Sequence, residues 1–195
     1  MPVKPLPKKL IPRLIRVSHI IERWLGKMKS VDHRTKNFLD HETSTSEWGY
    51  RVRQMDVSRN FPGTELVIKK THTFPANKKI KSVNNMVRIH NELYKPENYV
   101  LLAPKAYAIG ENLLAMAKTN KPSLEEVLGS KKTPPTERGK NFFQKMKKKH
   151  KITEMQLRKA VRQVVDRTNI FENNLLFLGV KNGKFVFMPL LDLGY

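Results

Sequence analysis

Two apolar runs, Leu175-Leu176-Phe177-Leu178 and Phe185 to Leu191, flank the tetrapeptide Lys181-Asn182-Gly183-Lys184. Asn-Gly supplies the two positive-φ positions of a tight turn between strands, so the stretch predicts a β-hairpin. The hairpin dictates what lies at its open end. Before it, an apolar helix that includes Arg162 to Val165 runs into a polar loop holding Asn173 and Asn174. After it, the chain reads Asp192-Leu193-Gly194. An asparagine at the mouth of one strand and an aspartate at the end of the next bring two oxygen donors to one side of the hairpin. That donor set suits a hard cation such as Mg²⁺, usually shared with phosphates.

The chain has 195 residues, enough for one domain with a real core and too few for two of ordinary size. Hydrophobic residues make up 39% and charged residues 28%, which reads as globular rather than disordered. Against 17 Asp and Glu stand 38 Lys and Arg, a net charge of +21. Such a field draws polyanions: nucleic acid, an anionic membrane, or small phosphates. Charge alone names none of them. The absence of cysteine excludes disulfides, Cys-ligated zinc and a thiol nucleophile, and accords with a reducing, cytoplasmic setting. His19, His33, His41, His72, His90 and His150 form no i, i+4 pair, so no dedicated zinc site is indicated. No run approaches the roughly 18 apolar residues of a membrane span.

Residues 1–44 read as a basic N-terminal extension. A Pro- and Lys-rich lead precedes Leu10, Leu14, Val17, Ile21, Trp24 and Met28, whose spacing predicts a helix face. Pro12 fits only near its first turn. Arg13, Arg16, Arg23, Lys27 and Lys29 occupy the other face. Packing on the domain or on a partner is the favoured reading. A basic amphipathic helix on an anionic membrane and a targeting presequence are the alternatives. A polar loop is expected at 30–47. Tyr50 to Val57 and Glu65 to Lys70, around Pro62-Gly63, predict a hairpin. Residues 74–82 are expected as a loop, followed by a helix over 82–93 with Ser82 as its N-cap.

Tyr99 to Ile109 and Leu113 to Ala117, joined by Gly110-Glu111-Asn112, predict a second hairpin. Residues 129–152 read as a solvated linker and helix face with a lysine cluster at Lys145 and Lys147 to Lys149. Phe142 and Phe143 could stack on bases, but no RNA-binding signature accompanies them, and the solvated face ranks higher. Thr153-Glu154-Met155-Gln156 predicts a capping box opening a helix through Val165, with Met155, Leu157, Val161, Val164 and Val165 buried.

Several of these pieces, taken in order, resemble the protein-kinase-like superfamily from about residue 45 to the end. Leu66-Val67-Ile68-Lys69 is similar to the strand whose lysine holds the α- and β-phosphates. Glu92, on the following helix, corresponds to the glutamate that pairs with that lysine. Leu113 to Thr119 resembles the hinge, with Met116 as gatekeeper and backbone near Ala117 and Thr119 on adenine. Ser123-Leu124-Glu125-Glu126-Val127-Leu128 matches the short helix that follows it. Asn174 and Asp192 then correspond to the Mg²⁺ ligands.

Two registers are open for the base: Asn169, a neutral amide that would make the chain a pseudokinase, or Asp166 of Asp166-Arg167, as in HipA-like branches. Met188 to Asp192 is also similar to the HipA-like P-L-x-D. The resemblance implies an α+β kinase-like fold. Residues 45–119 would form an antiparallel N-lobe sheet with one packed helix, and 120–195 a reduced helical C-lobe ending in a hairpin. It further implies ATP and Mg²⁺ as cofactors, with phosphoryl transfer to an unknown acceptor as the activity. There are departures. No Gly-x-Gly-x-x-Gly precedes Lys69, so the Ser/Thr loop 43–46 would have to cover the phosphates. Asp192 is followed by only Leu193-Gly194-Tyr195, so a minimal unit or a partner supplying the missing wall is expected. The rival reading is a non-catalytic basic protein that binds RNA or a ribosomal surface through the first helix and residues 140–151.

Overall fold

The computed structural model describes residues 8–27, 54–56, 66–70, 74–117, 121–130 and 133–191. Among them the fold is α+β, with five α-helices and two small sheets. The expected polar loop at 30–47, the phosphate-covering loop 43–46 and the Pro62-Gly63 turn lie outside the described residues. The chain divides into two compact units. Described residues of the first fall within 8–81 and 105–117, those of the second within 82–104 and 121–191.

In the first unit, α1 (Leu10–Lys27) begins where the apolar spacing begins. Pro12 sits in the first turn, where its missing N–H removes no helical hydrogen bond. Leu10 and Leu14 are buried and Arg13 and Arg16 exposed, so over its first turns the helix is amphipathic in the expected sense. Strands β1 (Gln54–Asp56), β2 (Leu66–Lys70), β4 (Ala106–Ala108) and β5 (Leu113–Ala117) form an antiparallel sheet in the order β1-β2-β5-β4. Both hairpin pairings expected here occur: Met55 faces Ile68, and Tyr107 faces Ala115. Ile68 and the run Leu113 to Met116 are buried and form the sheet's core. The turn between β4 and β5 is an anchor. Glu111 carbonyl accepts the Ala76 N–H at 2.7 Å, and Gly110 passes close to Ser18 of α1.

That anchor explains the first correction. The helix expected from Ser82 starts at Ala76 and runs to Tyr94 (α2), so residues 76–81 are not loop and Ser82 is an exposed interior residue rather than a cap. Ala76 is fully buried, and the Lys79 N–H closes the first turn onto the Pro75 carbonyl at 3.1 Å. The turns at 76–81 are lysine-rich and mostly solvated, so no apolar spacing announces them.

The second unit is built on the sheet β3-β7-β6, from β3 (Tyr99–Leu101), β6 (Leu175–Lys181) and β7 (Lys184–Pro189). The β6–β7 hairpin is the predicted one. Asn182 and Gly183 take φ of 51° and 75°, the positive values its turn demands. Leu175 to Phe177 and Phe185 to Pro189 are buried without alternation, which means both faces of the sheet are covered. Phe177 contacts Phe185 and Phe187 at centroid distances of 6.2 and 5.9 Å, and Tyr99 adds a fourth ring against Phe187.

Strand β3 is the second correction: Tyr99 to Ile109 is not one strand. Tyr99 to Leu101 pairs parallel with β7 (Tyr99 facing Phe185), and the chain re-enters a strand only at Ala106, in the other sheet. Pro104, which has no N–H, lies in the break. The Asn91 side-chain amide holds both backbone groups of Leu101, and the Leu102 N–H reaches the Phe187 carbonyl at 2.8 Å.

Three helices complete this unit. The short α3 (Leu124–Leu128) opens with a capping box of Ser123 and Glu126. Helix α4 (Glu137–His150) starts on Thr136 and stops at Lys151, in the left-handed conformation. Helix α5 (Glu154–Thr168) has the predicted capping box, Thr153 with Gln156. Its buried stripe is Leu157, Ala160, Val161 and Val164. Met155 is not in it, being 78% exposed, because it precedes Leu157 by two positions and so lies on the opposite flank. The phenylalanines of α4 face inward: Phe143 is buried and Phe142 sets its edge on Phe177. Neither offers a free face of the kind base stacking would use.

Candidate functional site

The candidate site residues fall into three groups, of which the sequence predicts the first two. Lys69 lies on β2, in register with Gln54 on one side and Leu114 on the other. Met116 is buried on β5 opposite Val67, and Ala117 ends that strand opposite Leu66. The sheet thus sets the lysine strand directly against the strand that leads to the expected hinge. Thr119 and Asp192 lie outside the described residues. Glu92 is exposed on α2, in an ion pair with Arg88 at 3.0 Å.

The second group is the exit of α5. The Thr168 hydroxyl donates to the Val164 carbonyl at 2.7 Å, and Asn169 turns left-handed (φ 56°) with its N–H on the Val165 carbonyl at 2.9 Å. Asparagine tolerates that conformation better than other non-glycine residues, so Asn169 serves as the stop of α5. Asp166 is exposed in the last turn and has no ion-pair partner among the described residues. Buried Ile170 pins the loop, and a 3₁₀ turn (Glu172–Asn174) delivers half-buried Asn174 to the start of β6. There the Leu190 N–H donates to the Asn174 carbonyl at 2.7 Å. The hairpin therefore clamps residue 174 beside residue 190, two positions before Asp192.

A third group had no strong sequence signal. Tyr99 is fully buried, and its hydroxyl lies 2.9 Å from His90 Nε2 and 3.4 Å from an Arg167 N–H. Arg167 donates to the Tyr99 hydroxyl, the direction of the His90–Tyr99 bond follows the imidazole tautomer, and His90 Nδ1 is buried without a partner. The Arg167 guanidinium also lies 4.8 Å above the Tyr94 ring. Three elements (α2, β3 and the last turn of α5) thus converge beside Asp166. Only the Asp166-Arg167 pair could have pointed here from sequence.

Burial, and secondarily the Arg167 charge, lower the His90 pKa below its usual 6.5, while burial raises that of Tyr99. The folded protein therefore binds the His90 proton less readily than the unfolded chain. Stability held above pH 6.5 is expected to be lost as pH falls through that value toward the folded pKa. Melting temperature followed from pH 8 to pH 5 checks this. The His90→Leu variant should melt lower at pH 8 yet lose less on acidification, whereas an unchanged slope would assign the pH dependence elsewhere.

Among the described residues no three of His, Cys, Asp and Glu converge on one point. Mg²⁺ asks for less, since one or two protein oxygens suffice when phosphates and waters fill the other positions. One amide oxygen at Asn174 and one carboxylate at Asp192 are hard donors that fit this cation. No protein-family model matches the chain, and no curated protein matches it either. No helix among the described residues is long and apolar enough to cross a membrane.

Proposed function

We propose that this is a reduced protein-kinase-like protein that binds ATP with Mg²⁺. One observation carries the reading: the 2.7 Å bond from the Leu190 N–H to the Asn174 carbonyl. It holds the mouth of β6 against the segment that leads to Asp192, which supports a reading in which the Asn174 amide and the Asp192 carboxylate share one cation. The strand order adds support, since β2 with Lys69 is hydrogen-bonded to β5, which ends at Ala117. In this reading Lys69 supplies a point charge to the phosphates, and backbone near Ala117 and Thr119 meets adenine behind Met116. Bound Mg²⁺ would neutralise phosphate charge.

Transfer of the γ-phosphoryl group to an acceptor needs a base for the acceptor proton. Asp166 fills that role better than Asn169, since a neutral amide accepts no proton and Asn169 is already explained as a helix stop. The Arg167–Tyr99–His90 network would fix the turn that carries Asp166. Glu92 is the weakest member, because Arg88 already engages its carboxylate.

Thermal unfolding with and without ATP·Mg²⁺ tests the proposal. Ligand at a hundred times Kd should stabilise the fold by about 2.7 kcal/mol. Chelating the metal or replacing Asp192→Ala should remove that gain, and Lys69→Ala should weaken it. An unshifted wild-type melt at millimolar ATP·Mg²⁺ would sink the reading.

A further inference from the structure

Helix α4 carries a charge pattern that folding does not use. Its inward side is Gly139, Phe143 and Met146, packed against the α3 backbone, the core and Gly179 of β6. The outward side carries Lys140, Lys145, Lys147, Lys148, Lys149 and, at the cap, Lys151, all exposed. None of these lysines has an ion-pair partner among the described residues. Residues 137–151 hold one acid, Glu137, against Arg138 and six lysines, a net +6. The pairs 145/149, 147/151, 145/148 and 148/151 are like charges at helical i, i+4 or i, i+3 spacing, which repel. The helix C-terminus offsets part of this for the last turn, but Lys140 and Lys145 lie too far back to profit.

We infer that the exposed face of α4 is a docking surface for the phosphodiester backbone of a nucleic acid. Charge complementarity selects a polyanion. The absence of any exposed apolar side chain on this face selects nucleic acid over a membrane, where an interfacial helix buries its apolar side. Here that side is spent on the protein's own core. Lys140, Lys147 and Lys151 fall along one line of the helix at separations of about 10 and about 6 Å. Flexible lysine stems can follow successive phosphates from such a line without reading bases. The surface is therefore backbone-binding and indifferent to sequence. This inference stands on α4 alone and is independent of the ATP·Mg²⁺ reading.

The test measures binding of the full-length protein to a fluorescent 20-nucleotide RNA, and to its duplex, across a salt series. The wild type should bind with a log K that falls linearly with log salt, and Lys147→Gln/Lys148→Gln should flatten that slope by about 1.4 to 1.8. The matched control Lys78→Gln/Lys81→Gln removes the same charge from exposed positions on α2 and should leave the slope nearly unchanged. Circular dichroism melts check that both variants fold, and the preference for single strand or duplex identifies the form recognised. Equal flattening in both variants would reduce the effect to diffuse net charge and overturn the inference. Binding to anionic lipid vesicles but not to either nucleic acid would overturn it in favour of a membrane.

Discussion

Phe177→Ala is expected to lower the stability of the second unit by about 3–5 kcal/mol. The side chain is fully buried, with Phe142 edge-on at 5.6 Å and Phe187 at 5.9 Å. Removing it takes away its own transfer free energy and leaves a void that neighbouring rings cannot refill without losing their contacts. Domains of this size are held by roughly 5–15 kcal/mol in total, so such a loss approaches global unfolding. It also bears on function, because Phe177 lies three residues after Asn174 on the strand that clamps Leu190. Stabilisation by ATP·Mg²⁺ should fall with it if the proposed metal ligands depend on this hairpin. The control is Phe171→Ala, where the ring is 72% exposed and the cost should stay within about 0.5 kcal/mol. Urea unfolding monitored by circular dichroism measures both. A Phe177 variant as stable as the Phe171 variant would mean the aromatic cluster is not the core of this unit.

What could be read from the sequence divides along a physical line between local and distant causes. Asn182-Gly183 encodes its own turn, and Thr153 and Gln156 satisfy each other's backbone groups within one helical turn, so both were legible. Leu10 and Leu14 were legible for the same reason, since helical spacing is a local property. The start of α2 was not. Its first turn is fixed by the Glu111 carbonyl, 35 positions away from Ala76, and no pattern in Ala76 to Lys81 reports that bond. Nor was the fate of Tyr99 to Leu101 legible. Those residues look like any short apolar strand, and only pairing with Phe185 to Phe187 decides which sheet they join.

The candidate site shows the same split. Asn174 and Asp192 were marked because a hairpin brings its own two ends together. That the Lys69 strand lies beside the Met116 strand was not legible. The two predicted hairpins pair only β1 with β2 and β4 with β5, and which strands join them depends on how the hairpins dock. The His90–Tyr99–Arg167 network could not be marked, because its members come from three elements and their contact depends on how those elements pack. Asn169 was visible but ambiguous: the same residue type serves a catalytic loop or a left-handed helix stop, and its φ of 56° supplies the structural explanation.

Gly139→Ala is the second large expected effect, about 3 kcal/mol of destabilisation. In an exposed helix the change would be favourable by about 0.8–1.0 kcal/mol, since glycine is the poorer helix former. Here the sign reverses. A Cβ at residue 139 would collide with the carbonyl group of Glu126 and approach the Val127 nitrogen, and these are backbone atoms that no rotamer change can move aside. The Glu126 carbonyl is also committed, accepting the Thr136 N–H at 2.9 Å, while the Glu126 carboxylate accepts the Ser123 N–H at 2.8 Å in the cap of α3. Forcing α4 away from α3 thus strains the entries of both helices at once. The effect should reach the hairpin, because the Pro122 carbonyl accepts the Phe177 N–H and Ser123 bridges Leu176. Lys140→Ala, one position along on the exposed side, should change stability by less than about 0.5 kcal/mol. Parallel urea titrations of the two variants decide the matter. A stable Gly139→Ala protein would mean that α3 and α4 do not approach backbone to backbone, and that glycine sits in this helix for no packing reason.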